Sequence, residues 1–275
     1  MSFRILLGCL AAILLAGCAT QRDVGDPATA AALDRILASK HRSEANRARD
    51  PQRHPQETLQ FFGIRPDMTV VEVWPGAGWY TEILAPLLRD QGQLYAAQLE
   101  PSGGEYAKAV VESYRTKLAS RPDLYDKVTV TTLSAQNAAP IAPPGSADLV
   151  VTFRNLHNWM MFGWERAALE AMHAALKPEG ILGIVEHRGD PTVPQDPKAA
   201  SGYVNEDHAI QLIQSVGFKL IGRSEINANP KDEKNYEKGV WTLPPTFAAG
   251  DDDRQKYLRI GESDRFTLKF QKVAR

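Results

Sequence analysis

The apolar positions of this chain follow two periods, and the places where one gives way to the other mark its elements. Residues 30–40 are rich in alanine and put Leu33, Ile36 and Leu37 on one side, which predicts a helix. Residues 44–62 are charged first and apolar later. Pro55 suits a first helical turn there, Leu59, Phe61 and Phe62 pack inward, and Gly63 closes the segment. The period then shortens. Short β-rich runs at 69–73, 93–99, 128–133, 148–153, 181–186 and 218–223 predict strands, and helical stretches at 79–88, 106–118, 164–176 and 205–216 fall between them. Pro86 should bend or shorten the first of these helices, and Lys177-Pro178-Glu179-Gly180 ends the third.

Strand and helix alternate at short spacing, and the middle strands are apolar on both faces. This predicts an α/β fold with a mostly parallel sheet covered by helices on each side. Residues 264–273 alternate well enough for an edge or antiparallel strand. No repeat of solenoid period is visible. Residues 227–253 lack periodicity and read as a surface insertion or as a lid beside a site, with Asp251, Asp252 and Asp253 as a solvated loop.

The N-terminus follows other rules. Arg4 precedes an apolar run over 5–16, too short for a membrane span, which needs about 20 apolar residues. It reads as an export signal. The run ends in Leu15-Ala16-Gly17-Cys18, which resembles the lipobox of bacterial lipoproteins. That resemblance implies a signal over 1–17, cleavage before Cys18 and a lipid anchor at Cys18. The mature chain would then have 275 minus 17, or 258, residues. Ala19 in the next position implies the outer membrane, facing the periplasm. A cleaved secretory signal and an uncleaved anchor are the alternatives. Residues 21–29 are polar and suit a tether, so the expected division is 18–44 for lipidated cysteine, tether and N-terminal helix, then 45–275 for the main domain. Cys9 and Cys18 are the only cysteines, so the body holds no disulfide, thiolate metal site or cysteine nucleophile. A formal charge of -1 gives no bulk electrostatic reason to expect nucleic acid.

In open α/β sheets ligands sit beyond the C-terminal ends of the strands. The first such end reads Val70-Val71-Glu72-Val73-Trp74-Pro75-Gly76-Ala77-Gly78-Trp79-Tyr80-Thr81, a strand, a glycine turn and a helix start. This run resembles the first motif of the class I S-adenosylmethionine-dependent methyltransferases, and Leu176-Lys177-Pro178-Glu179-Gly180-Ile181 resembles their later helix-to-strand join. The likeness spans about 49–273. Within that superfamily the chain looks closest to a group of exported methyltransferases, through Arg49-Asp50, Pro55, the Trp74-Pro75-Gly76 turn, Glu186-His187-Arg188, Asn229-Pro230 and Asp264-Arg265-Phe266. The resemblance implies a Rossmann-like fold with a seven-stranded sheet and an antiparallel C-terminal strand. S-adenosyl-L-methionine is the implied cofactor, with contacts from Glu72, Trp74, Gly76, Gly78, Tyr80 and Thr81. Two positions depart from the family. Trp74 stands where many members have the first glycine, and Gln98 stands where an acid commonly takes the ribose hydroxyls, with Glu100 two residues on as the other choice. A nicotinamide oxidoreductase is the rival by spacing, but a third glycine after Gly78 is missing.

Methyl transfer asks for an acceptor held in line and for a place to put its proton. The fourth strand ends in Phe153-Arg154-Asn155-Leu156-His157-Asn158-Trp159. His157 is a candidate general base or a loop-fixing residue, Asn155 a candidate to orient the acceptor, and Arg154 and Trp159 candidate substrate contacts. His187, between Glu186 and Arg188, is the second candidate base, with Arg188 and Tyr203 as further substrate contacts. Glu206 suits a helix start, His208 a surface, and His54 a cover over the cofactor. Trp74, Trp79 and Tyr80 offer aromatic faces to a sulfonium or serve as packing. His157, His187 and Glu186 carry no metal-ligand spacing, so no metal is expected. The asparagine-proline-proline-aromatic motif is absent, which points to a small-molecule acceptor. A periplasmic address separates the protein from the cytoplasmic cofactor pool, so a changed ligand and a non-catalytic binding or scaffold role stand beside enzymatic methyl transfer.

Overall fold

The computed structural model describes residues 26–136 and 139–273; Cys18 and the segment 1–17 expected to be an export signal lie outside them. Four helices come first: α1 (Pro27–Leu37), α2 (Glu44–Arg47), α3 (Asp50–Arg53) and α4 (Pro55–Phe62). Then follow β1 (Thr69–Val73), α5 (Thr81–Leu88), β2 (Gln93–Gln98), α6 (Glu105–Ser120), α7 (Pro122–Tyr125), β3 (Thr129–Thr132) and β4 (Ala147–Phe153). The second half holds α8 (Leu156–Met161), α9 (Glu165–Ala175), β5 (Leu176–His187), α10 (Glu206–Gln214), β6 (Phe218–Ser224), α11 (Arg254–Ile260) and β7 (Arg265–Lys272).

The seven strands form one sheet in the order β3-β2-β1-β4-β5-β7-β6. The first five are parallel, with Val71 opposite both Tyr95 and Val150. β7 runs antiparallel between β5 and β6, pairing Ile184 with Leu268 and Leu220 with Phe270. Successive residues of a strand face opposite sides, and the core divides accordingly. Val71, Val150, Leu182 and Leu268 pack with Trp159, Met172 and Ile213 on one face. Val70, Leu149 and Val151 pack with Leu33, Leu59, Phe62 and Ile83 on the other.

The N-terminal quarter differs from its sequence reading. Asp26 caps α1 by accepting from the Thr29 amide at 2.9 Å, so helix begins inside the segment expected to be tether. Leu33 is fully buried, and α1 packs on α4 and α5. The stretch 44–62 is three short helices. A residue before proline avoids the right-handed helical region, and His54, ahead of Pro55, takes a left-handed φ of 41° that turns the chain between α3 and α4. In β5, Ala147 pairs with Leu176 but Leu149 with Ile181, so the expected stop at 177–180 loops out of the ladder. Three helices lie outside the stretches read as helical, α7, α8 and α11. Among the described residues no helix is long and apolar enough to cross a membrane.

Candidate functional site

The C-terminal ends of β1, β4 and β5 open into a cavity of about 780 Å³. Residues 41–53 form one wall and residues 240–246 another, so the aperiodic 227–253 segment does lie beside the site. Asp232 anchors that segment by accepting from the Tyr203 hydroxyl at 3.0 Å.

Of the two turn glycines, one serves the cavity. Gly76 has φ 59°, lines the cavity, and a β-carbon there would meet nothing within 4 Å. Gly78 has φ 81°, but its missing side chain makes room for Tyr114 and Lys117 of α6, 3.0 and 3.1 Å from where a β-carbon would sit. Its task is packing. Glu72 is buried yet lines the cavity, and the Thr81 hydroxyl donates to its Oε2 at 2.6 Å. Thr81 therefore positions Glu72 from below the cavity. Burial raises the Glu72 carboxyl to about 7, against the opposing pull of Thr81 and Lys117.

The ribose positions implied by the resemblance are occupied differently. Gln98 is buried; its amide nitrogen donates to the Gly76 carbonyl at 2.9 Å and its oxygen accepts from the Leu99 amide. Both ends are thus used to brace the glycine turn. Glu100 precedes a short 3-10 turn at Pro101–Gly103 and stays off the cavity. Trp74 adopts a left-handed φ of 50° and sends its indole N–H to the Leu133 carbonyl at 3.0 Å, just beyond β3. Its ring packs on Trp159 and Trp164 while still bordering the cavity.

At the end of β4, Arg154 has φ 62° and its amide donates to Val185 at 2.7 Å, an arrangement that places its side chain in the cavity wall. Asn155 spends its amide nitrogen on the Val73 carbonyl at 3.1 Å and on Thr152, so it ties the β1 end to the β4 end. His157 and His187 both line the cavity, their rings 5.2 Å apart. The Nδ1 of His157 pairs with the fully buried Glu186 at 2.9 Å, while Glu186 also accepts from the amides of His157 and His187. The Nδ1 of His187 meets Ser263. Each ring thus has one nitrogen fixed and the other left for the cavity. Burial, then His157 and the nearby Arg154, Arg265 and Arg53, hold the His187 imidazolium well below its usual range. His187 is therefore neutral near pH 7, and the same surroundings disfavour its imidazolium form. Glu186, His157 and His187 bring ligand-type atoms within 4.8 Å of one another. Their carboxylate is already committed to three donors, and the arginines nearby oppose a cation.

Three of the four candidate substrate contacts do not reach the cavity. Trp159 is core, fully buried on the far side of Trp74. Arg188 turns away to Glu206, Glu225 and Asp264. Tyr203 is the anchor for Asp232, and burial with that carboxylate pushes its hydroxyl far above the usual range. His54 serves the turn between α3 and α4. Tyr80 lines the cavity, stacked on Phe153 at 3.5 Å, and Trp79 is met by the guanidinium groups of Arg42 and Arg53 at 5.1 and 4.7 Å. The sequence reading missed His41, Asn46, Arg49, Arg53, Trp241 and Glu262, all in the cavity wall. Only Arg49, in the Arg49-Asp50 pair, carried a signal.

No family model and no curated protein sequence matches the chain. Solved structures do. A SAM dependent methyltransferase from Aquifex aeolicus matches with a TM-score of 0.55 at 18% identity, covering 82% of this chain and 93% of that one. The [4+2]-cyclase SpnF matches with a TM-score of 0.59 at 14% identity, covering 86% of each. The chain therefore has the Rossmann-like class I methyltransferase fold, including its antiparallel seventh strand.

Proposed function

We propose that this protein is an S-adenosylmethionine-dependent methyltransferase acting on a small-molecule acceptor, exported and held by lipid at Cys18 on the periplasmic side of the outer membrane. The observation that carries the reading is convergence. The open edge of Gly76, the buried Glu72 and the neutral His187 face one cavity with His157. The cofactor would supply an electrophilic methyl group. The residues suit its amino-acid end: Glu72, poised near pH 7, gains charge beside a cationic group, and the Gly76 backbone is free of side-chain cover. His157 or His187 would take the acceptor's proton through the ring nitrogen not already fixed.

The fit is poorer at the ribose end, where Gln98 is consumed and Glu100 lies off the cavity. That observation favours a second reading, a non-catalytic ligand-binding lipoprotein on the same fold. Fold does not decide between them, since SpnF is named as a cyclase. Calorimetric titration with S-adenosylmethionine and S-adenosylhomocysteine, with nicotinamide dinucleotides as controls, separates the readings. Heat with both sulfur ligands supports the proposal, and silence with both sinks it. Binding without product across a metabolite panel moves the protein to the second reading. The anchor is tested by labelled palmitate, which should enter the wild-type chain and not Cys18→Ser.

A further inference from the structure

The cavity end that holds the two histidines is unusually rich in guanidinium groups. Four arginines surround one buried carboxylate, Glu262. Arg49 Nε lies 2.7 Å from it, Arg53 Nε 3.1 Å, Arg265 Nη1 3.1 Å and Arg154 Nη1 3.7 Å. Four cations against one anion leave an excess of three positive charges around Glu262. The other carboxylate facing this end, Glu186, is committed to His157 and to two amides. Burial, together with the neighbouring arginines, lowers Arg53 well below its ordinary range and Arg154 to about 10, although Glu262 pulls the other way. Like charges crowded at a partly buried site repel, and a partner of the opposite sign relieves that repulsion.

The four are not equivalent. Arg265 also donates to the carbonyls of Gln52 and Ser263, and Arg53 lies against the Trp79 ring. These two are fixed by the protein itself, Arg265 behind the cavity lining and Arg53 within it. Arg49 spends Nε on Glu262 but leaves Nη2 buried and without a partner. Among the described residues, Arg154 donates no side-chain hydrogen bond, and 3.7 Å from Glu262 is too long for one. Arg154 also holds the left-handed backbone that sets its side chain in the cavity wall. Such backbone strain persists where its surroundings enforce it and is concentrated at ligand clamps. The Arg154 guanidinium and the Nη2 end of Arg49 belong to the wall that also carries His187, Ser263 and Trp241.

We infer that Arg154 and Arg49 form an oxyanion-binding subsite, and that the acceptor carries a carboxylate or phosphate group which these two guanidinium groups hold beside the histidine pair. A guanidinium fork matches either group through paired N–H donors. The acidic group of the acceptor supplies the missing counter-charge, and the arginines keep His187 neutral to act on the same molecule. That the bound molecule is a methyl acceptor rests on the methyl-transfer reading; the anion site itself does not.

The test uses the full chain in detergent, titrated with inorganic phosphate, sulfate and malonate, with sodium chloride at matched ionic strength as control. Saturable binding of at least one oxyanion is expected, weakened tenfold or more in Arg154→Gln and in Arg49→Gln. Arg154→Lys should be intermediate, because it keeps the charge and loses the fork. The midpoint of thermal unfolding without anion should stay equal or rise in Arg154→Gln, since a structural arginine would lower it. Preference for malonate assigns a carboxylate, and preference for phosphate or sulfate a tetrahedral group. Stabilisation equal to that by chloride, or unchanged binding in both glutamine variants, overturns the subsite. Saturating S-adenosylhomocysteine should leave oxyanion affinity unchanged; mutual exclusion would mean the arginines hold the cofactor's own carboxylate, and the acceptor assignment falls. If S-adenosylhomocysteine does not bind while oxyanions do, methyl transfer fails and the anion site stands.

Discussion

Trp74 shows how much a single residue decides. An indole on a left-handed backbone stores strain of roughly 1–2 kcal/mol, and glycine would carry none. The side chain is half-buried, edge-on to Trp159, and donates to Leu133. Replacing a large buried aromatic by a small residue costs about 3–5 kcal/mol, so Trp74→Gly, with its partial exposure and strain relief, should lose about 2 kcal/mol in chemical denaturation. The same change opens the space between the β1 end and Leu133. S-adenosylhomocysteine should then bind more tightly than to wild type if the indole narrows the ribose end. Equal affinity in calorimetry would assign Trp74 to packing alone. This residue was legible in the sequence as a departure from the glycine expected there, but not its direction: only coordinates tell whether the ring plugs the cavity or borders it. Gln98 taught the same lesson, since an amide at a strand end gives no sign that both its ends are used.

Among the elements, strands and long helices were readable because burial imposes a period on them, and the mostly parallel sheet followed from their alternation, with the antiparallel last strand implied by the resemblance. Short helices were not. α8 is a single stretch of six residues, four of them buried and too few to show a period, and the break at His54 depends on one φ angle. The cavity walls come from 41–53 and 240–246, where tertiary contacts rather than periodicity set the path, so most of the site residues there went unread. How α4 meets the sheet is likewise a matter of contact. Gly183 of β5 lies under the Phe62 ring, whose atoms would be 2.6 Å from a β-carbon. Gly183→Ala must therefore push α4 outward or rotate Phe62, and overpacking of this kind costs about 1–3 kcal/mol. The loss should show as a lower urea midpoint with unchanged slope, and Phe62→Leu in the same chain should recover part of it. Segment 41–53 offers a parallel check. Arg42 is buried, forms a paired contact with Asp50 at 2.6 and 2.8 Å, and faces Trp79. Arg42→Ala leaves Asp50 unmatched and should cost roughly 3 kcal/mol, with amide exchange rising first across 41–53 rather than in the sheet.

For the molecule as a whole, three buried groups at the cavity bear on how stability responds to pH between 2 and 7, and they do not agree in sign. Glu72 has its carboxyl raised from 4.5 to about 7 by burial, so its contribution is complete below 4.5 and is lost as pH rises to about 7. Glu262 is the reverse. Burial alone would raise it, but Arg53, Arg265, Arg154 and Arg49 together draw it from 4.5 to about 2, so its contribution is present above 4.5 and is lost as pH falls toward 2. His187 is depressed below 6.5, so its contribution is complete above 6.5 and declines as pH falls. Between 4.5 and 6.5 Glu72 and His187 therefore oppose each other, and the wild-type profile should be nearly level there, falling steeply only below 4.5. Glu72→Gln keeps an oxygen for Thr81 and removes the titration. Relative to wild type it should gain about 3 kcal/mol between pH 4.5 and 7.5, from a shift of 2.5 pH units. Urea midpoints at four pH values across that window measure the difference directly. Parallel curves for the two proteins would show that the carboxyl at the heart of the proposed cofactor site does not titrate, and that its affinity for a cationic ligand cannot be tuned by pH.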